Sequence, residues 1–264
     1  MNIELEYNKC KEDPKYFINN YVKIDTKDEG ITNFTLRDYQ EKMIDIFKNE
    51  KISIIHKARQ IGGSKTSLAF ILWYSIFNSN KTVVICCNKL ALAKEQLYDL
   101  KYMHYNLPDF LKVSISSDKK TIITLENETT IRCISSSEDS IRGYTIDMLY
   151  LDEFAWLPEH ITNSFMDSIF PVMNSTNSKL IIVSTSNGKN KFYHLLKRAM
   201  NIMSNMKYVE IPYYLVKDWN NYEWRAKMVQ MIGELKFRQY YECEFLDFDR
   251  EEAYKKFVSL THNN

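Results

Sequence analysis

The fold is decided by the stretch His56-Lys57-Ala58-Arg59-Gln60-Ile61-Gly62-Gly63-Ser64-Lys65-Thr66. Residues 52–55 precede it and predict a buried strand, because they are apolar and β-branched apart from one serine. Residues 67–78 follow it and are apolar on nearly every side, which predicts a mostly buried helix. Glycines between a strand and a helix let backbone N–H groups surround phosphate oxygens, and the helix N-terminus adds a positive dipole end. The stretch therefore predicts a phosphate-binding loop.

The loop fits the pattern G-x-x-x-x-G-K-[ST] only in part, and two alignments are open. If the final pair of the pattern is Lys65-Thr66, then Arg59 and Ser64 stand where the two glycines belong. If the second glycine is Gly62, then Gly63 stands where the lysine belongs and Ser64 follows it. A plain glycine turn without a ligand is the alternative that the stretch alone leaves open.

Length and composition bound the class of protein. The 264 residues are 45% apolar and 26% charged, which predicts one large globular domain or a main domain with a small companion. A net charge of +1 gives no general attraction to nucleic acid, although a local basic patch is compatible with it. No apolar run approaches the roughly 20 residues of a membrane span, and the N-terminus lacks a signal-peptide pattern. Five cysteines without a C-x-x-C pair favour reduced thiols over disulfides or zinc. We expect a cytoplasmic protein that is neither secreted nor embedded in a membrane.

Apolar segments alternate with helical ones along the middle of the chain. The pattern predicts buried strands at residues 82–87, 148–151 and 180–183, with a helix over 90–105. Residues 121–134 alternate in the manner of an antiparallel hairpin. Strands that alternate with helices predict an α/β fold with a central, mostly parallel sheet flanked by helices.

The two ends of the chain differ in character from this middle part. Residues 1–35 are polar and aromatic with little periodicity, and an aromatic and polar pattern returns from residue 208 onward. We therefore predict a core over residues 36–207 and a small accessory lobe formed by residues 1–35 and 208–264.

An acidic pair ends one of the predicted strands. Asp152 and Glu153 follow the apolar residues 148–151 about ninety residues after the glycine loop. In an ATPase site, such an aspartate holds Mg²⁺ and such a glutamate orients and deprotonates the attacking water. A solvated strand end is the commoner meaning of two acids alone, but their position after a phosphate loop favours the ATPase interpretation.

Three other segments are candidate parts of the same site. Tyr39-Gln40 lies just upstream of the loop and could contact an adenine, or could dock a helix with the tyrosine in the core. Arg142 is a candidate for stabilising charge on a γ-phosphate, with a surface turn as its alternative. Ser184-Thr185-Ser186-Asn187-Gly188 ends a strand with short polar side chains that could sense a γ-phosphate, or form a mere turn.

Taken in order, these motifs resemble those of a known family. Residues 57–62, 141–143, 149–153 and 184–188 are similar to the ATPase half of the large terminase subunit of tailed phages. Residues 13–18 and 241–246 look like flanking segments of the same family, so the likeness spans roughly residues 8–247. The resemblance implies a P-loop NTPase of the ASCE, or RecA-like, class that packages DNA into a preformed capsid using ATP.

The resemblance also implies roles for single residues. Asp152 and Ser64 would hold Mg²⁺, Glu153 would activate water, and Arg142 would be the arginine finger, with Arg59 as a competitor. Ser184, Thr185, Ser186 and Asn187 would couple hydrolysis to movement. The candidate nucleotide contacts are Tyr39, Gln40, Lys57, Gln60, Gly62, Gly63, Ser64, Lys65 and Thr66.

Two departures from the family pattern set the limits of this prediction. The family usually has a lysine directly after the loop glycine, and this chain has Gly63 at that position. Lys57 or Lys65 must therefore supply the charge, and Lys57 is favoured. The second half of the family's proteins, an RNase H-like nuclease, has no room after Leu246, so we expect either an isolated ATPase domain or a nuclease on another chain. We predict a Mg-ATP-hydrolysing motor domain that translocates double-stranded DNA as part of a homo-oligomeric ring on the capsid portal. A small terminase subunit and a separate nuclease chain are further expected partners, in the cytoplasm of an infected bacterium. A DExD/H-type helicase and a weakly hydrolysing scaffold subunit are the alternatives.

Overall fold

A computed structural model describes residues 2–26, 30–136, 145–175 and 178–246, with side chains left aside at 164–165, 168 and 171–175. Nine α-helices lie in these ranges: α1 (Ile3–Glu12), α2 (Pro14–Tyr21), α3 (Asp38–Asn49), α4 (Gly63–Phe77), α5 (Leu90–Tyr105), α6 (Glu159–Ser175), α7 (Lys191–Ala199), α8 (Tyr222–Ile232) and α9 (Glu234–Tyr241). Ten strands lie in the same ranges: β1 (Lys23–Thr26), β2 (Gly30–Asn33), β3 (Ile52–Lys57), β4 (Thr82–Cys87), β5 (Ile115–Asp118), β6 (Ile122–Leu125), β7 (Thr130–Ser135), β8 (Met148–Asp152), β9 (Lys179–Ser184) and β10 (Met206–Ile211).

Eight of the strands form one central sheet in the order β10-β3-β9-β8-β4-β7-β6-β5. Every neighbouring pair from β10 to β7 is parallel, and only the β7-β6 and β6-β5 pairs are antiparallel. Buried runs such as β3, whose residues are all buried, are what a sheet covered on both faces requires. The predicted α/β class, the parallel strands and the hairpin are confirmed.

Helices cover both faces of this sheet around two apolar cores. On one face, α3, α4 and α5 pack with the N-terminal helices around large buried side chains such as Phe47 and Phe70. On the other face, α6 and α7 pack around a smaller cluster that includes Met166, Phe192 and Leu195. Helix α4 lies in the larger core and is buried along most of its length, as its apolar sequence predicts. No described helix is long and apolar enough to cross a membrane.

The terminal segments are more regular than their sequence pattern indicates. Residues 1–35, interpreted as nearly aperiodic, contain α1, α2 and a two-stranded sheet of β1 and β2. The start of α2 has local signals: Asp13 caps the Lys15 N–H at 2.9 Å and Pro14 occupies the first turn. Strand β10 pairs with β3 and crosses the proposed boundary at residue 207, so the division into core and lobe stays a prediction.

Candidate active site

The strand order brings three of the predicted segments to one edge of the sheet. Strand β9 lies between β3 and β8, so the segment after β9 lies between the glycine loop and the acidic pair. The register aligns His56 of β3 with Ser184 of β9, and Val183 of β9 with Asp152 of β8. Carboxyl ends of parallel strands are where ligands bind in open α/β sheets.

The glycine loop needs its glycines for two different reasons. Gly62 adopts a left-handed conformation with φ of 78°, and a Cβ there would lie 2.9 Å from Gln40 Nε2. At Gly63, a Cβ would lie 2.7 Å from Cδ of Lys57. Gly63 therefore leaves the space through which the Lys57 side chain crosses the start of α4. Gln60 is also left-handed, with φ of 59°, and its side chain is exposed.

Lys57 extends from the end of β3 directly to the acidic pair. Its side chain is 5% exposed, and its Nζ lies 2.9 Å from Glu153 Oε1. Thr185 donates to the other carboxylate oxygen, Oε2, from its backbone N–H at 3.3 Å and its hydroxyl at 3.1 Å. Glu153 itself has a left-handed backbone with φ of 51°, which is uncommon for a residue with a side chain. Both oxygens of this carboxylate are thus held in place.

Lys65, the other candidate lysine, lies in the first turn of α4 and pairs with a different carboxylate. Its Nζ forms an ion pair with Asp99 Oδ2 of α5 at 3.0 Å, and its side chain is 32% exposed. The next residue, Thr66, is buried and donates its hydroxyl to the Gly62 carbonyl at 3.0 Å. Of the two lysines, Lys57 alone contacts the acidic pair.

The oxygen atoms near Asp152 fit a divalent cation. Ser64 donates its hydroxyl to Asp152 Oδ2 at 3.0 Å, and Gln96 of α5 donates its amide to the same oxygen. The second oxygen, Oδ1, is buried and has no hydrogen-bond partner among the described residues. A cleft of about 260 Å³ opens beside these groups and reaches Glu153. Hydroxyl and carboxylate oxygens are the ligands that Mg²⁺ prefers, so Ser64 and Asp152 would hold it.

The two neighbouring carboxylates differ in acidity. Burial raises the pKa of Asp152, and Lys57 offsets only part of this effect while the nearby Glu153 charge adds to it. Burial also acts to raise the pKa of Glu153, but the charge and hydrogen bond of Lys57, together with the two bonds from Thr185, outweigh it and lower that pKa. Glu153 is therefore ionised at neutral pH and can accept a proton.

A second cleft of about 420 Å³ lies on the other side of the loop. Gln40, Gln60, Gly62 and Lys65 are among the residues that line it. Tyr39 is 3% exposed and donates its hydroxyl to the Ile61 carbonyl at 3.0 Å. This position favours the alternative in which the tyrosine docks α3 against the loop.

Arg59 lies at the exposed start of the loop beside two aromatic rings. Its Cζ is 4.2 Å from the ring centroid of Tyr240 and 5.4 Å from that of Trp156. Its backbone N–H also donates to the Tyr240 carbonyl at 2.9 Å. The competing finger candidate, Arg142, falls outside the described residues, so the choice between the two arginines stays open.

The polar segment after β9 forms several hydrogen bonds with the acidic pair and the residues that directly follow it, which we call the acidic turn (residues 152–156). Ser184 Oγ accepts the Ala155 N–H at 2.9 Å, and Asn187 donates its amide to the Ala155 carbonyl at 3.0 Å. Ser186 Oγ lies 2.6 Å from Nε2 of the buried His56. Because Thr185 bonds Glu153 as well, all four predicted coupling residues are buried or half-buried within this network or next to it.

Sequence reasoning missed several residues that contact the site. Gln96 lies at an apolar spacing of α5, and nothing in the local pattern indicates that its amide reaches Asp152. Trp156 donates its indole N–H to Thr185 Oγ1 at 2.8 Å. Its position three residues after Glu153 is the feature of the sequence that indicates that Trp156 lies near the site. His56, which the sequence analysis places in the loop stretch without a role, lies in β3 directly before Lys57.

The central sheet, the glycine loop and the acidic strand end together define a RecA-like P-loop domain. Residues 54–257 match the family described as "Terminase large subunit, T4likevirus-type, N-terminal", and the chain belongs to this family.

Individual relatives agree with this assignment. The chain is 28% identical over 121 residues to the large terminase subunit of Thermus phage G20c, a match that covers 41% of this chain and 24% of that protein. The chain thus spans about a quarter of the length of the curated relatives it matches. It is similar in structure to the large terminase ATPase domain of Thermus phage P74-26, with a TM-score of 0.66, 16% identity and coverage of 81% and 95%. The large terminase of the thermophilic bacteriophage D6E in complex with ADP gives a TM-score of 0.61, 13% identity and coverage of 81% and 56%.

Proposed function

We propose that this chain binds Mg-ATP at the carboxyl edge of its sheet and hydrolyses it. The hydrolysis would drive translocation of double-stranded DNA into a capsid. The observation that carries the proposal is the arrangement around the acidic pair. Ser64 and Asp152 share a hydrogen bond of 3.0 Å, and the Glu153 carboxylate beside them is held by Lys57 and Thr185. An ATPase needs these groups side by side.

In this mechanism each side chain has one task. Lys57 contacts the phosphate oxygens, and the N–H groups at the start of α4 surround them. Mg²⁺, when held by Ser64 and Asp152, would neutralise charge on the phosphates. Glu153, which its lowered pKa keeps ionised at neutral pH, takes the proton of the attacking water. Thr185 fixes the carboxylate and links it to the segment after β9.

We propose further that Arg142 completes the site of a neighbouring copy in a homo-oligomeric ring on the capsid portal. The small terminase subunit is the other proposed partner, in the cytoplasm of the bacterial host. The position of Arg59 against Tyr240 and Trp156 supports a structural role for that arginine. Mixing Arg142→Ala chains with Glu153→Gln chains tests the ring, because a mixed ring can pair intact residues and regain part of the rate. No rescue on mixing would mean that Arg142 acts within its own chain or not at all.

Steady-state phosphate release, with and without duplex DNA, tests the central proposal. We expect Mg-dependent release that increases when DNA is added. ATP binding without release would instead identify a nucleotide-binding scaffold. Because the family lysine is replaced by Gly63, equilibrium binding of ATP should be measured beside the rate.

A further inference from the structure

A long part of the chain has no acidic residue. Asp167 and Glu210 are successive acids, although Asp and Glu make up 34 of the 264 residues. The interval between them holds six basic residues, Lys179, Lys189, Lys191, Lys197, Arg198 and Lys207. In a chain with a net charge of only +1, this is a strong local excess of positive charge.

Helix α7 turns much of this charge toward solvent. Its inner side is buried through Phe192, Leu195 and Leu196, while His194, Lys197 and Arg198 are exposed on its outer side. The last three line a cavity of about 640 Å³ together with polar residues of the following loop, Asn201, Ser204 and Asn205. We call the outer side of α7, together with Lys189 and Lys207, the basic surface; the loop between α7 and Lys207 exposes the apolar side chains of Met200, Ile202 and Met203.

The cations of the basic surface are available to a ligand. Among the described residues, none forms an ion pair with Lys191, Lys197, Arg198 or Lys207. Glu159 is the acidic residue that lines the neighbouring cavity of about 220 Å³. Arg198 lies near the Phe170 ring and Lys197 near the Tyr193 ring, contacts that leave their charges unpaired.

Helix stability explains only half of this charge. Lys197 and Arg198 lie in the last turn of α7, where positive charge is favourable. Lys189 and Lys191 flank the N-cap Asn190, where positive charge opposes the helix dipole by about 0.3–1 kcal/mol each. Lysines at that end therefore need a reason outside the helix.

The same helix is attached to the candidate active site. Asn190 donates its amide to the Ala155 carbonyl at 2.6 Å and to the Asn187 carbonyl at 2.9 Å, and it caps α7 through the Phe192 N–H at 3.0 Å. The acidic turn, the segment after β9 and the basic surface are thus joined through one short helix.

We propose that the basic surface binds the phosphate backbone of duplex DNA. Exposed lysine and arginine side chains on and beside one helix suit a repeating row of phosphates and carry no base specificity. The inference rests on the proposed function for the identity of the polyanion. Because the N-cap residue of α7, Asn190, bonds to Asn187, DNA bound at the basic surface would have a direct mechanical connection to the site of hydrolysis.

The test measures binding of a fluorescein-labelled 30-base-pair duplex without nucleotide at salt concentrations of about 50–200 mM. In the double variant Lys197→Gln/Arg198→Gln, the slope of log K against log [salt] should become less steep by about 1.8, which is 0.9 for each lost phosphate contact. Affinity near 0.1 M salt should fall roughly 10- to 100-fold. The matched control is Lys11→Gln/Lys42→Gln, which removes the same charge from exposed positions of α1 and α3 on the opposite face of the sheet.

Two results would overturn the proposal. The first is an equal loss of DNA affinity in both double variants, which would show that binding depends only on the net charge of the chain. The second is binding of poly-L-glutamate by the basic surface as tightly as duplex DNA per charge, which would indicate an acidic protein partner instead. Phosphate release without DNA should be unchanged in both variants. If the unsubstituted chain releases no phosphate, the proposed function fails, while the DNA-binding comparison still stands.

Discussion

The two ends of the phosphate-binding loop carry one lysine each, and their surroundings differ. Lys57 is buried at the end of β3 and contacts Glu153, whereas Lys65 is partly exposed on α4 and contacts Asp99. An exposed ion pair contributes about 0–1 kcal/mol, while a buried charge that loses its partner is costly. The comparison teaches that burial and direction of a side chain, rather than its place in a motif, decide which lysine can serve the phosphates.

The largest effect is expected when each lysine loses its carboxylate partner in turn. Glu153→Gln should lower turnover about 10²-fold or more, since a general base is lost, and leave Mg-ATP affinity within a few-fold. Asp99→Asn removes the matched carboxylate and should leave turnover within about threefold, because that pair is partly exposed and screened by solvent. Steady-state phosphate release and ATP titration measure both. Equal turnover in the two variants would remove Glu153 from the mechanism.

The lysines themselves give the next largest effect. Lys57→Ala should weaken ATP binding about tenfold or more, the range for losing a charge-assisted hydrogen bond. Lys65→Ala should weaken it by less than about threefold, because its side chain already pairs with Asp99. Calorimetric titration with ATP compares the two. The reverse order would assign the phosphate contact to Lys65.

Gly63→Ala should change ATP binding by a smaller factor and in a way that separates site from fold. The new Cβ would displace the Lys57 side chain, whose Cδ lies 2.7 Å from that position, so affinity should fall a few-fold. Alanine has a higher helix propensity than glycine by up to about 1 kcal/mol, which offsets part of the cost of moving Lys57, so the melting temperature should change little. A variant with unchanged affinity would show that Lys57 does not need this space.

The smallest effect concerns stability at the buried end of the loop. Because the pKa of Asp152 is raised in the folded state, this residue costs stability as the pH rises above its unfolded-state pKa, and the full cost is reached above the folded-state pKa. Asp152→Asn should therefore raise the free energy of unfolding at pH 7 by on the order of 1 kcal/mol. The gain should vanish below the unfolded pKa of about 3.9, where both states bind the proton. Denaturant unfolding at several pH values measures this, and a loss of stability at pH 7 would contradict the pKa direction.

The sequence predicted the parallel strands and the carboxyl-edge site because apolar runs and strand ends are local signals. Strand β3 and helix α4 flank the loop as their patterns indicate, and Asp152 ends β8. The contact of Lys57 with Glu153 is not a local property, because it depends on the missing Cβ of Gly63, while α5 places Asp99 beside Lys65; the preference for Lys57 at the phosphates stays a prediction. Gln96 was unpredictable for the same reason, since only packing of α5 brings its amide to Asp152.

The passage of the Lys57 side chain over Gly63 has an evolutionary consequence. A lysine introduced at position 63 would place its own Cβ against the Lys57 side chain, whose Cε also lies only 3.1 Å from that point. One arrangement has Lys57 with Gly63, and the other has a lysine at position 63 and none at position 57. A change from one to the other by single substitutions therefore passes through a chain with two crowded lysines or with none at the phosphates. The two arrangements are separated by an unfavourable intermediate, and a lineage that holds one of them is expected to keep it.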